Sequence, residues 1–209
     1  MNTTALPPQL ARLAELSQPS SLPWIFHTTQ HLVSLFHTTA TTSHGHGINA
    51  TADPHVGEAA GGLPAIIPFV RHLVTECRLT NATLVYALVY THRLHQRLPA
   101  GALSKPGAMH RILVAALLLA NKYIEDVPTL TPQRLANTLM RWPALESAWS
   151  RIALGGPATK QALWWAFPVE ISRVERAMLK LLDFQLYVEE ADVVPFLPIV
   201  EVSVARVTI

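Results

Sequence analysis

Apolar residues recur at helical spacing from residue 63 onward, and the pattern predicts an all-α fold. Ile66, Phe69, Val70, Leu73, Val74 and Cys77 fall at offsets 0, 3, 4, 7, 8 and 11, one face of an amphipathic helix. Thr80 and Asn81 offer an N-cap for a second helix over residues 83–98, apolar in its first half, polar in its second and stopped by Pro99. Residues 100–107, with two glycines and a proline, read as a connection. The third helix is the most apolar: every residue from Ile112 to Ala120 is hydrophobic. That run is too short for the roughly 20 residues that cross a bilayer and too uniform for a surface helix, so it predicts a buried central element. Ala115, Ala116 and Ala120 would let neighbours approach closely, while Lys122, Glu125 and Asp126 put charge where the helix emerges.

Thr131 followed by Pro132 predicts the start of a fourth helix ending near Met140. Residues 141–167 then read as a long Trp-rich connection containing Gly155, Gly156 and Pro157, of the kind usually functional or disordered. Pro168 is expected to open a fifth helix, with Ile171, Val174, Met178, Leu181 and Leu182 as its apolar stripe and Arg173, Arg176 and Lys180 on its wet face. Phe184, Leu186 and Val188 extend the buried pattern past its end. The expected fold is five helices packed around the third.

The flanks differ. Residues 1–62 are rich in Thr, Ser, His, Pro and Gly, with a low-complexity stretch at 38–47, and are expected to be mostly mobile. Two apolar islands, at 6–16 and at Trp24 to Phe36, could dock as short helices on the main domain, 63–188. The tail, 189–209, holds Pro195 and Pro198 and then a run that reads as an isolated strand.

Composition narrows the functional classes. Half of the 209 residues are hydrophobic and 14% are charged, enough for one well-filled core. The net charge is only +2, with no Lys/Arg run of the kind that marks nucleic-acid tails. A single cysteine excludes an intrachain disulfide, and the first residues lack the basic-then-apolar pattern of a secretory signal, so a reducing compartment, nucleus or cytoplasm, is expected.

No phosphate-binding glycine loop, nucleophile elbow or His-Glu-x-x-His pattern is present. Cys77 lies on the apolar face of the first helix and reads as structural. His27/His31 and His92/His95 each place two imidazoles on one side of a helix. A structural zinc needs four ligands, usually including thiolates, so neither a metal nor a cofactor is expected. His92, Arg93, His95 and Arg97, with Arg71, Arg78, Lys105 and Arg111, form either a basic patch or merely solvated helix ends.

The informative charges are Lys122, Glu125, Asp126 and Glu175. Acidic residues at the negative end of a helix, preceded by a lysine, are not an order that helix stability selects. Glu175 borders the apolar stripe of the fifth helix, so it could meet Lys122 at the seam of the third and fifth helices. The pair reads equally as a semi-buried salt bridge or as part of a recognition site.

The order and spacing of these segments resemble the cyclin box of the fungal PHO/PCL-type cyclins, over residues 63–188. The first two helices resemble that box through Phe69, Val70, Leu73 and Val74, then Thr83 and Leu84, Leu88 to Tyr90, Arg93 with Leu94, and Arg97 to Pro99. His110 to Asp126 is similar to its third helix, and Val174, Glu175, Met178, Leu181, Leu182 and Phe184 to its fifth.

The resemblance implies a non-enzymatic regulatory subunit that forms a heterodimer with a cyclin-dependent protein kinase of the phosphate-signalling type. Such a subunit holds the kinase's mobile helix in the active position, which the kinase needs for its Lys–Glu ion pair. It implies Lys122 and Glu175 as kinase-binding residues, with Tyr123 and Glu125 beside them; no membrane contact is expected, the longest apolar run being too short to span a bilayer. Residues 63–68 do not match the Met-Arg-Ala-Ile-Leu substrate patch of metazoan cyclins, and His92 stands where those cyclins carry an aspartate. The competing expectation is a cyclin-fold nucleic-acid-binding transcription adaptor that uses Arg93 and Arg97.

Overall fold

The computed structural model describes residues 15–40, 65–99, 107–142 and 160–197. Within them the chain is helical: α1 Leu22–Ala40, α2 Ile66–Cys77, α3 Asn81–Arg97, α4 Ala108–Ile124, α5 Pro132–Met140, α6 Lys160–Leu181 and a short α7 Glu190–Val193, followed by a single 3-10 turn Val194–Phe196. Part of the low-complexity stretch, Lys105, the Gly155–Pro157 segment and the expected strand near the C-terminus lie outside the described residues.

The breaks between helices follow from local chemistry. α2 ends at Arg78, whose left-handed backbone (φ 54°) lets its N–H bond the Val74 carbonyl. Thr80 caps α3 by accepting from the Thr83 N–H at 3.2 Å, so the helix begins two residues earlier than the apolar pattern suggests. Gly107, at φ 75°, supplies the turn into α4 that a residue with a Cβ would resist. Thr131 caps α5 with Pro132 in its first turn, as expected.

α4 packs along α3 on one side and α6 on the other, and every residue from Leu113 to Asn121 is buried. The buried Asn121 closes the turn that follows: its Oδ1 accepts the Leu130 N–H at 2.8 Å. α2 and α5 complete the layer, tied by the Arg134 guanidinium, which donates to the Cys77 carbonyl at 3.3 Å.

Three expectations change. The second N-terminal island is not a short helix but the 19-residue α1, inside a segment expected to be mostly mobile. Trp24, Ile25, Thr28, Thr29 and Leu32 form one buried face against α2 and α3. Burial of each large apolar side chain is worth about 1.5–3 kcal/mol. A strap before α1 secures it: Ser20 N–H donates to the Leu79 carbonyl at 3.0 Å, and the Asn81 N–H to the Gln18 carbonyl at 3.0 Å.

Pro168 does not open the fifth helix, which begins at Lys160 and carries the proline inside it. The expected connection 141–167 is shortened accordingly. Phe167, 1% exposed, anchors the turn before the proline, and its burial offsets a ring that costs a helix interior about 3 kcal/mol.

The start of the tail is part of the packed body. α7 is held by a capping box in which the Glu189 N–H donates to Asp192, and Val193 and Phe196 join the core. Among the described residues no helix is long and apolar enough to cross a membrane.

Candidate partner-binding surface

Lys122 occupies the last turn of α4, where a cation suits the helix dipole, and Glu175 the middle of α6. They meet: Lys122 Nζ donates to Glu175 Oε1 at 2.7 Å. Glu175 does not border the apolar stripe of α6 but lies within it: among the described side chains Phe167, Ile171, Glu175 and Met178 are buried along the helix, with Leu182 just past its end, while Leu181 is exposed. The carboxylate is therefore drawn from the core toward an ammonium that stands at the surface.

Tyr123 is exposed beside Lys122, and its ring tilts against Tyr86 at 6.3 Å. Tyr86 in turn meets Tyr90 edge-on at 6.3 Å. Burial pushes the Tyr86 phenol above its ordinary range, and the neighbouring Tyr123 and Tyr187 phenols add to this. The chain's four tyrosines thus form one cluster around the exit of α4. Glu125 faces elsewhere: it caps the C-terminus of α4 and its Oε1 accepts from Thr80 Oγ1 at 3.3 Å, joining this exit to the α2–α3 turn.

Sequence reasoning missed two large exposed aromatics on the segment after α6. Phe184 was expected to be buried and is 68% exposed, while Tyr187 is 70% exposed. The cause is local: Asp183 and Phe184 both adopt left-handed backbone (φ 52° and 58°), which reverses the chain and turns Phe184 outward, while Val188 still points in. The signal in the sequence was the Asp at the helix end, a residue tolerant of that conformation.

Of the candidate basic patch, Arg93, Arg97 and Arg111 are engaged within the chain. Arg93 donates to the Gln185 and Tyr187 carbonyls and to Asp192, and Arg97 to the Leu181 carbonyl, Asp183 and the Gln185 side chain. Arg111 lies 3.8 Å from Glu170, which Arg173 also engages through two nitrogens. His27 and His31 stack edge-on at 4.6 Å, and Phe196 lies against both His31 and His92. Among the described residues no group of three potential metal ligands occurs. Cys77 is buried against Thr138, and burial pushes its thiol above the ordinary range, the reverse of what a nucleophile needs.

With an all-α bundle, a central apolar helix and a Lys–Glu pair at its exit in place, the class of protein follows. Residues 63–187 match the family described as Cyclin, N-terminal domain, and the chain belongs to that family. A more particular relative is PHO85 cyclin-1 of Saccharomyces cerevisiae, 28% identical over 149 residues, a match that covers 69% of this chain and 44% of the relative. The match thus spans less than half of that relative's length. No solved structure matches the chain.

Proposed function

We propose that this chain is the regulatory subunit of a cyclin-dependent protein kinase, binding the kinase as a heterodimer through the exit of α4 and the adjoining face of α6, and raising its activity. The observation that carries this reading is the Lys122–Glu175 pair: a core carboxylate presents a half-exposed ammonium beside an exposed tyrosine. Such a pre-formed pair can exchange hydrogen bonds with backbone groups at the end of a partner's helix with little reorganisation. Tyr123, Phe184 and Tyr187 supply the aromatic anchors that carry most binding energy at interfaces, while Glu125, turned toward Thr80, secures the end of α4 that carries Tyr123. The chemistry belongs to the kinase, since the role assigned to this chain is to position the kinase's mobile helix.

Similarity to PHO85 cyclin-1 of a yeast supports a fungal kinase of the phosphate-signalling type as partner; action in the nucleus, the cytoplasm or both is part of the proposal. The adaptor reading gains no support from Arg93 and Arg97, whose donors are committed to the chain's own C-terminal segment.

The test is capture of the kinase from a fungal lysate on the purified chain at near-physiological salt, followed by a phosphorylation assay. Capture with raised activity, both weakened by Lys122→Ala and by Glu175→Ala, is the expected result. Recovery of no kinase, or capture indifferent to both substitutions, would overturn the reading.

A further inference from the structure

Between α6 and α7, residues 182–189 form a strap without helix or strand; the Leu182 and Phe184 carbonyls are bonded within it by the Gln185 and Leu186 N–H groups, while those of Gln185, Leu186 and Tyr187 take partners from elsewhere. They find them on one face of α3. Tyr90, Arg93 and Arg97 follow one another at intervals of three and four residues, and their side chains reach the strap in order. The Tyr90 hydroxyl donates to the Leu186 carbonyl at 2.8 Å. Arg93 spreads its guanidinium over the Gln185 and Tyr187 carbonyls at 3.2 and 2.9 Å and over Asp192 at 2.7 Å. Arg97 takes the Leu181 carbonyl, Asp183 Oδ2 and Gln185 Oε1, each at 3.0 Å.

Arg97 therefore brackets Phe184, gripping the residue before it and the residue after it. Phe184 sits at φ 58°, a conformation an aromatic residue holds only where its surroundings over-determine it. Apolar burial does not fix it, because Phe184 and Tyr187 both project into solvent. Strap and α3 enclose an open cleft of about 570 Å³ with Phe184 and Tyr187 on its wall. A lysine could not replace either arginine, since only the planar fork reaches two successive acceptors.

We propose that Arg93 and Arg97 are positioning residues for partner binding: acting through the strap, they hold Phe184 and Tyr187 in the outward geometry that a kinase would meet. The proposal rests on the kinase-binding reading above and adds to it two residues that touch the partner only through others. It separates the basic end of α3 from any direct role in recognition.

The experiment uses the full chain and its Arg93→Met, Arg97→Met, Phe184→Ala and Arg97→Met/Phe184→Ala variants, with thermal melting to confirm that each is folded. Hydrogen exchange on the free chain should show the amides of Phe184 to Val188 opening about ten-fold faster in either arginine variant, as loss of charge-assisted hydrogen bonds implies, with Leu113 to Asn121 unchanged. Affinity for the captured kinase should fall about ten-fold in Arg97→Met, and the double variant should bind no more weakly than Phe184→Ala alone. Unchanged strap exchange overturns the clamp whether or not a kinase binds. Faster exchange with additive affinity losses also overturns the proposal, because the arginines would then not act through Phe184. If the unsubstituted chain captures no kinase, the kinase-binding reading and the positioning role both fail, while the exchange result still decides the clamp.

Discussion

Lys122 and Glu175 form a pair of unequal members: the lysine side chain is 41% exposed and the glutamate 9%. Water can replace Glu175 as a partner for Lys122 far more readily than the reverse. Lys122→Ala strands a buried carboxylate and should cost about 1–3 kcal/mol, whereas Glu175→Gln keeps the shape, returns the lysine to solvent and should cost less than about 1 kcal/mol. Denaturant melts of the two variants decide this. A larger loss in Glu175→Gln would mean that the carboxylate is not the dependent partner.

Thr80 performs two tasks with one hydroxyl. It accepts the Thr83 N–H at the start of α3 and donates to Glu125 at the end of α4, so it links two helix termini. Removing an N-cap costs about 1 kcal/mol, and loss of the second contact should bring Thr80→Ala to about 1–2 kcal/mol. Thr80→Ser retains both bonds and should lie within about 0.5 kcal/mol of the unsubstituted chain. Equal destabilisation by both variants would assign the effect to the lost methyl group and not to the cap.

These two relationships differ in how far the sequence announces them. Lys122 and Glu175 were legible because charge at the end of a uniformly apolar helix needs a reason, and the spacing of α6 put an acid near its buried stripe. Glu125's tie to Thr80 was not, since it joins residues 45 apart through a turn whose shape depends on the left-handed Arg78. α2 to α5 follow from periodicity and caps. α1 was visible as an apolar island, but its length was hidden by the polar His27, Thr28, Thr29 and His31, which helical packing accommodates. The outward turn of Phe184 was illegible because alternation after a helix assumes extended backbone, and two consecutive left-handed residues break that assumption.

Pro168 offers a direct test of the longer α6. A proline opening the helix is well placed there, and replacing it would be neutral or harmful. Inside the helix it lacks the N–H that would bond the carbonyl four residues earlier, and its ring crowds that carbonyl. Pro168→Ala should therefore stabilise the chain by about 1–3 kcal/mol, raising the melting temperature by several degrees. A lower melting temperature would show that the helix uses the proline to set its path onto α4 and α5.

Acid should loosen one end of the molecule first. His31, on α1, packs edge-on against Phe196, with His27 edge-on against it and His92 on Phe196 as well. Burial, and then the proximity of His27, lower the His31 pKa below its ordinary 6.5. The folded chain thus resists a proton that the unfolded chain accepts, so stability is unaffected above pH 6.5 and falls as the pH drops from 6.5 toward the depressed pKa. Carboxylates titrate near 4, which leaves the window from pH 6.5 to 5.5 to the histidines. The melting temperature should be flat from pH 7.5 to 6.5 and fall by a few degrees by pH 5.5, with faster amide exchange in α1 preceding exchange in α4. His31→Phe should remove part of that fall. If that variant loses as much as the unsubstituted chain, the acid sensitivity lies in another group and the His27–His31–Phe196 contact plays no part in it.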